Sequence, residues 1–272
     1  MLDQPKPYIL ALANQKGGVG KTTTAINLGA ALAEAGHRVL IIDMDPQGNA
    51  STGLGVLKSD RRETTYDILS GASSVRGAMV EVGIPGLYLV PGTTDLSSID
   101  LDLVSDPQRI TKLAPKLAEQ ELDVFDVILI DCPPALNLLT INALTAAHGV
   151  LVPLQCEFFA LEGLSQLMLT IRQVRKGVNT SLRTLGVVLT MYDVRNNLSG
   201  QVEQDARENL GALVFRTKIP RNVRLSEAPS HFLPVLQYDS RSAGSQAYRA
   251  LAQEVLERLE TGEQPAQRSV EA

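Results

Sequence analysis

The sequence predicts an α/β fold, a single doubly wound, mostly parallel sheet with helices on both faces, built from residues 1–260. Three observations carry this prediction. Short, near-continuous runs of Val, Ile and Leu alternate with helical patterns, as strands covered on both faces require. The first run opens into a glycine-rich turn and then a helix start. Two further runs end in aspartate, and the carboxyl ends of strands are where such sheets collect chemistry. At 272 residues and 44% hydrophobic, the chain can bury the core this architecture needs.

In chain order, Tyr8–Asn14 is the first strand, and Thr22–Ala35 reads as a helix stopped by Gly36. Arg38–Asp43 is a buried-strand run, followed by Leu87–Pro91, Val127–Asp131, Gly149–Pro153 and Leu185–Met191. Leu161–Arg175 and Ser245–Leu259 carry the apolar stripes of surface helices. The tail 261–272 is polar and proline-containing, and is expected to be disordered. No repeat or linker divides the rest. No apolar stretch approaches the roughly 20 residues of a membrane span. The first residues lack the basic-then-apolar pattern of a signal peptide, so a cytoplasmic chain is expected. Cys132 and Cys156 offer neither a disulfide framework nor zinc spacing, and read as small core residues. His37, His148 and His231 are dispersed and read as structural or surface groups.

The turn after the first strand is Lys16-Gly17-Gly18-Val19-Gly20-Lys21-Thr22-Thr23. Glycines let backbone N–H groups converge on phosphate oxygens, and the following helix start adds its positive dipole end. Lys21 is placed to reach the β/γ-phosphates of a nucleotide and the Thr22 hydroxyl to coordinate Mg²⁺. The pattern G-x-x-x-x-G-K-[ST] is not met, because Gln15 stands at its first glycine; a second lysine, Lys16, marks the loop entrance instead. Downstream, Asp131-Cys132-Pro133-Pro134 closes an apolar strand and matches the Walker B position, where a carboxylate holds Mg²⁺ directly or through water. Asp43-Met44-Asp45-Pro46-Gln47 closes another. Asp45, two residues past its strand, can point into the same cleft and orient or deprotonate an attacking water; capping the turn at Pro46 is its structural alternative.

Net charge is −5, yet residues 172–224 hold ten basic and four acidic side chains, a net of +6 against −11 elsewhere. A localised basic face on an acidic protein can bind polyanions, and a solvated arginine surface is the alternative. Tryptophan is absent and aromatics make up 4% of the chain, which argues against a base-stacking platform.

Together, Lys16-Gly-Gly-Val-Gly-Lys21-Thr, Asp43-x-Asp45-Pro-Gln and Ile130-Asp131-Cys-Pro-Pro resemble the ParA-type partition ATPases of the deviant Walker A group. The resemblance is to their short chromosomal, Soj-like form, and extends from about residue 8 to 258, including Ile219-Pro220-Arg221-Asn222-Val223-Arg224. It implies that residues Gly17 to Thr23 cradle ATP, that Thr22, Asp43 and Asp131 serve the magnesium, and that Asp45 is the hydrolytic aspartate. Lys16 corresponds to the lysine that crosses a dimer interface to the partner's nucleotide, Pro220 and Asn222 to residues at the adenine base, and Arg195 and Arg224 to residues of sequence-independent DNA binding. The implied partners are a second copy joined through ATP, double-stranded DNA of the nucleoid, and a ParB-type protein that stimulates hydrolysis, with no membrane. A MinD-like membrane ATPase would end in a basic amphipathic helix, whereas residues 248–259 balance Arg249 and Arg258 against Glu254 and Glu257 and are not basic. A nitrogenase-type reductase needs cluster-ligating cysteines, which neither cysteine here resembles. No Asn-Lys-x-Asp guanine motif occurs.

Overall fold

The computed structural model describes residues 7–158 and 160–261. Its eight strands are β1 (Tyr8–Leu12), β2 (Val39–Asp43), β3 (Val80–Glu81), β4 (Leu87–Val90), β5 (Val127–Asp131), β6 (Gly149–Gln155), β7 (Arg183–Tyr192) and β8 (Val214–Pro220). They form one sheet in the order β3-β4-β2-β5-β1-β6-β7-β8, parallel throughout except where β3 runs antiparallel to β4.

The helices are α1 (Lys21–Glu34), α2 (Asn49–Gly53), α3 (Thr65–Ser70), α4 (Val75–Ala78), α5 (Ile99–Asp102), α6 (Leu113–Leu117), α7 (Leu138–Ala146), α8 (Ala160–Gly177), α9 (Asn197–Leu210), α10 (Val223–Glu227), α11 (Val235–Tyr238) and α12 (Ala243–Thr261). Each central strand sends alternate side chains into two cores, which is why its sequence is apolar without a break. Leu10, Leu12, Ile41, Leu129 and Leu151 pack beneath α1 and α12. Ile9, Ala11, Ile42, Ile128 and Ile130 face the opposite core, with α7 and α8.

The predicted strands and helices are all present with shifted ends; β6 runs on to Gln155, and α12 starts at Ala243. β3 and β8 were not foreseen. They form the two sheet edges, and β8 exposes polar side chains at Arg216 and shields less apolar surface than a central strand. Helices α7 and α9 were also missed: α7 is buried nearly all round and so has no amphipathic period, while α9 is mostly polar. The tail expected to be disordered lies outside the described residues beyond Thr261.

Helix α12 buries Leu251, Val255 and Leu259 against α1 and the sheet. Tyr248 Oη lies 3.2 Å from Thr24 Oγ1 on α1. The Arg258 guanidinium lies 3.8 Å over the Phe215 ring and donates to the carbonyls of Leu185 and Leu213. Glu254, buried beside it, accepts the Arg216 and Thr217 amides of β8. The edge strand is thus held by side chains of α12 as well as by β7. No described helix is long and apolar enough to cross a membrane.

Leu129, fully buried at the middle of β5, fills the face beneath α1. Leu129→Ala is expected to cost about 2–5 kcal/mol through lost burial and an uncollapsed cavity, measured as a lower urea midpoint at unchanged m-value.

Candidate functional site

The carboxyl ends of β1, β2 and β5 lie side by side, and the loop after β1 closes over them. Gly18 and Gly20 adopt φ values of 77° and 89°, a left-handed region that favours glycine. Gly20 is the N-cap of α1 and supplies no side chain to its first turn, leaving the amides there for an anion. Neighbouring strands pin the loop. Asn14 donates from Nδ2 to the Pro153 carbonyl at 2.7 Å and accepts the Lys16 amide at 3.0 Å. Thr190, near the end of β7, donates its hydroxyl to the Val19 carbonyl at 2.8 Å.

Lys21 is buried, and its ammonium donates to the Lys16 carbonyl at 3.0 Å. Burial lowers its pKa, opposed by the charges of Asp131 and Asp45. The Lys16 side chain leaves the cleft and pairs with Glu157. Thr22 follows on the first turn of α1, half-buried.

Asp43 and Asp131 are register partners at the ends of β2 and β5, both fully buried. Burial, followed by the charge of Asp43, raises the Asp131 pKa well above the usual carboxylate range; the nearby Thr22 hydroxyl and Lys21 ammonium work the other way. Both Asp131 oxygens lack a hydrogen-bond partner among the described residues, an unusual state for a buried carboxylate and one that a cation would relieve. Thr22 and Asp131 are hard oxygen donors of the kind Mg²⁺ takes alongside phosphate and water. Among the described residues, no group of three or more His, Cys, Asp or Glu side chains could hold a metal alone.

Asp43, expected to serve the magnesium, carries hydrogen bonds of its own. Its Oδ2 accepts the Ser51 amide at 2.9 Å and the Ser51 hydroxyl at 2.6 Å, and its Oδ1 accepts the Asp45 amide at 3.2 Å. A carboxylate so committed braces the loop after β2. Burial nevertheless pushes its pKa up to about 6, against those hydrogen bonds. Asp45 is buried at the turn, with Oδ1 accepting the Gln47 amide at 3.0 Å. The turn-capping role is thus filled, and the charge of Asp45 also acts on Lys21 and Asp131.

Beside the phosphate loop, a cleft of about 400 Å³ is lined by Gly20, Thr23, Met191, Pro220, Asn222 and Tyr248, among others. Pro220 and Asn222, expected at the base of a nucleotide, thus line a cleft that adjoins the phosphate loop. Ser226 and Pro229 also line this cleft. Sequence reasoning missed Thr190, Met191 and Tyr248. Met191, the last residue of the predicted strand Leu185–Met191, borders the cleft with a positive φ of 52°, and only the structure reveals that conformation.

Arg195 and Arg224 follow the adjacent strands β7 and β8, whose loops are stitched by the Arg221 amide donating to the Tyr192 carbonyl at 2.9 Å. Both are exposed and both are paired. Arg195 grips Asp193 through Nε and Nη2; Arg224 pairs with Glu227 and Asp239. The basic span is accordingly neutralised in part within the protein. Glu203 neutralises Arg207 and Lys218, while Glu254 and Glu257 neutralise Arg216.

A sequence family described as an AAA domain matches residues 8–184. The chromosome partitioning protein ParA of Caulobacter vibrioides is 57% identical over 251 residues, covering 92% of this chain and 94% of that protein. The sporulation initiation inhibitor protein Soj of Bacillus subtilis is 50% identical over 247 residues, covering 91% and 97%. Among solved structures, cobyrinic acid a,c-diamide synthase of Mycobacterium smegmatis with bound ADP and magnesium superposes with a TM-score of 0.83. It is 38% identical over 94% of this chain and 97% of that one.

Asp131 tests the electrostatics. A carboxylate whose folded pKa is raised binds more protons folded than unfolded, so its contribution to stability falls as pH rises above the unfolded value. Asp131→Asn is expected to raise the melting temperature of the nucleotide-free protein, and to raise it more at pH 8 than at pH 5. The same variant should lose most of the rise in melting temperature that MgATP gives the parent protein.

Proposed function

The chain belongs to the ParA/Soj family of chromosome-partitioning ATPases, and on that premise we propose an ATP-gated, DNA-bound dimer as its working form. The observation that carries the reading is the pair of orphaned Asp131 oxygens beside Lys21 at the mouth of the phosphate loop.

ATP lies with its phosphates under residues 17–23 and its base between Pro220 and Asn222. Lys21 neutralises the β/γ-phosphates. Thr22 and Asp131 hold Mg²⁺, which supplies further charge neutralisation on the phosphate oxygens when bound. Asp45 orients the water that attacks the γ-phosphorus; the bond to the β,γ-bridging oxygen breaks, giving ADP and phosphate. Lys16 exchanges Glu157 for the nucleotide of a second copy, so that dimerisation depends on ATP. Pairing doubles the set of arginines presented to DNA, and Arg195 and Arg224 engage phosphates irrespective of sequence. A ParB-type partner accelerates hydrolysis, and the separated subunits leave the nucleoid. The packing of α12 against α1 and β8 supports this reading over a membrane cycle, because the apolar stripe of that helix is already buried.

The test is binding to random-sequence duplex DNA with ATP, ADP or no nucleotide across a salt series. Tight, salt-sensitive binding is expected only with MgATP. In a dimer, Arg195→Glu with Arg224→Glu removes four candidate phosphate contacts, and should lower the slope of log K against log salt by about 3 to 4. ATP-driven dimerisation should persist in that variant. Failure to bind DNA in any nucleotide state would overturn the proposal.

A further inference from the structure

Arg61 lies outside every motif of the nucleotide site, yet it is tied to the loop that carries Asp45. Its Nε donates to the Val56 carbonyl at 3.1 Å and its Nη1 to the Gly92 carbonyl at 2.8 Å. Its Nη2 donates to the Gly48 carbonyl at 3.1 Å, the Thr52 hydroxyl at 2.8 Å and the Val56 carbonyl at 3.0 Å. The guanidinium therefore joins three stretches of chain: the Asp45 turn at Gly48, helix α2 and its exit at Thr52 and Val56, and the end of β4 at Gly92.

Gly48 closes the Asp45 turn. Its amide donates to the Asp45 carbonyl at 2.8 Å, and its φ of 62° is one that glycine adopts without strain. A Cβ at Gly48 would collide with Arg61 Nη1, so the guanidinium sits directly against the turn. Ser51 completes the clamp, donating its hydroxyl to Asp43 and accepting the Gly92 amide at 3.0 Å. The charge of Asp43 also acts on Arg61. Only a planar fork with five N–H groups can satisfy this spread of acceptors; an ammonium has three donors at a single point.

We propose that Arg61 is a positioning residue for ATP hydrolysis, fixing through Gly48 the turn that aims the Asp45 carboxylate. It touches neither the phosphate loop nor the nucleotide cleft. The inference rests on the reading of Asp45 as the hydrolytic carboxylate. A misplaced carboxylate loses the geometry of attack while the phosphate loop still binds ATP, so the effect falls on turnover rather than on affinity.

The experiment compares Arg61→Met, Arg61→Lys and Thr52→Val with the full-length parent in steady-state ATP hydrolysis. Equilibrium binding of a fluorescent ATP analogue with Mg²⁺ is measured on the same samples. For Arg61→Met, kcat is expected to fall by about tenfold to a hundredfold, with KM and analogue affinity held within about twofold. Arg61→Lys is expected to recover only part of the loss, and Thr52→Val to show a smaller loss in the same direction. Should Arg61→Met fail to fold, those two variants carry the test. An unchanged kcat in the folded variants overturns the proposal, as does a parallel collapse of kcat and analogue affinity. Single-turnover hydrolysis by Asp45→Asn, alone and with the Arg61 substitution, separates the two ideas. If Asp45→Asn alone keeps the parent rate, the reading of Asp45 is what fails. If it slows turnover sharply to a measurable residual rate, adding the Arg61 substitution should slow that rate no further; an additional tenfold loss would show that Arg61 acts by another route and overturn the proposal.

Discussion

Charge imbalance in a desolvated cleft is the constraint on which the rest of the site depends. Paired strands deliver Asp43 and Asp131 to one place, Asp45 lies two residues on, and one buried ammonium, Lys21, faces them. Such a group of carboxylates cannot ionise together without compensation. The protein divides the problem. Asp43 is quieted by hydrogen bonds from Ser51 and the Asp45 backbone, and so becomes part of the scaffold. Asp131 makes no hydrogen bond of good geometry among the described residues, and the nearby Thr22 hydroxyl and Lys21 ammonium offset its burial only in part, so a cation or a proton is needed to complete its compensation. A magnesium nucleotide brings the needed cation together with the phosphates that Lys21 and the loop amides accept.

Much of this was legible in the sequence because the signals are local. The glycines and lysines of residues 16–21 specify a turn and its charge, and an aspartate ending an apolar run specifies a strand end in the cleft. What was illegible depends on distant parts of the chain. Nothing in the letters around Asp43 says that Ser51 will donate twice to its Oδ2, so metal ligand and structural brace look alike on paper. Thr190 meets Val19 across a sequence separation of 171 residues. Met191 offers an apolar letter typical of a core, and its positive φ sits inside β7, where the pairing with β8 shifts register between Leu189 and Tyr192. Edge strand β8 was lost because its polar face reads as loop until α12 is known to cover the other side.

The basic span shows how far composition can mislead about a surface. Ten cations within 53 residues suggested a positive face, but folding draws in Glu227, Asp239, Glu254 and Glu257 from beyond the span to meet them. Exposed pairs of this kind contribute little to stability, so their acids can be exchanged for another anion at small cost. A DNA phosphate competing for Arg195 must displace Asp193, whose pKa is held down at about 2 by that same guanidinium. The steep salt dependence expected of the proposed DNA binding comes from counterions released by the contacted phosphates, whereas the weak grip of the internal pairs comes from solvent screening.

The strand order also has a meaning for how the protein is made. β1 leaves the ribosome first, but its neighbours in the sheet are β5 and β6, more than a hundred residues later. The glycine loop emerges early with no strand on either side to hold it. Helix α1 and β2 can form meanwhile, but the two aspartates face each other only when residues 127–131 arrive. Closing such long loops is slow, and the exposed apolar strands are open to mispairing in the interval. Nascent-chain length therefore sets a threshold for ligand capture: a truncated chain ending before β6 has every residue of the phosphate loop and no assembled place to put a nucleotide.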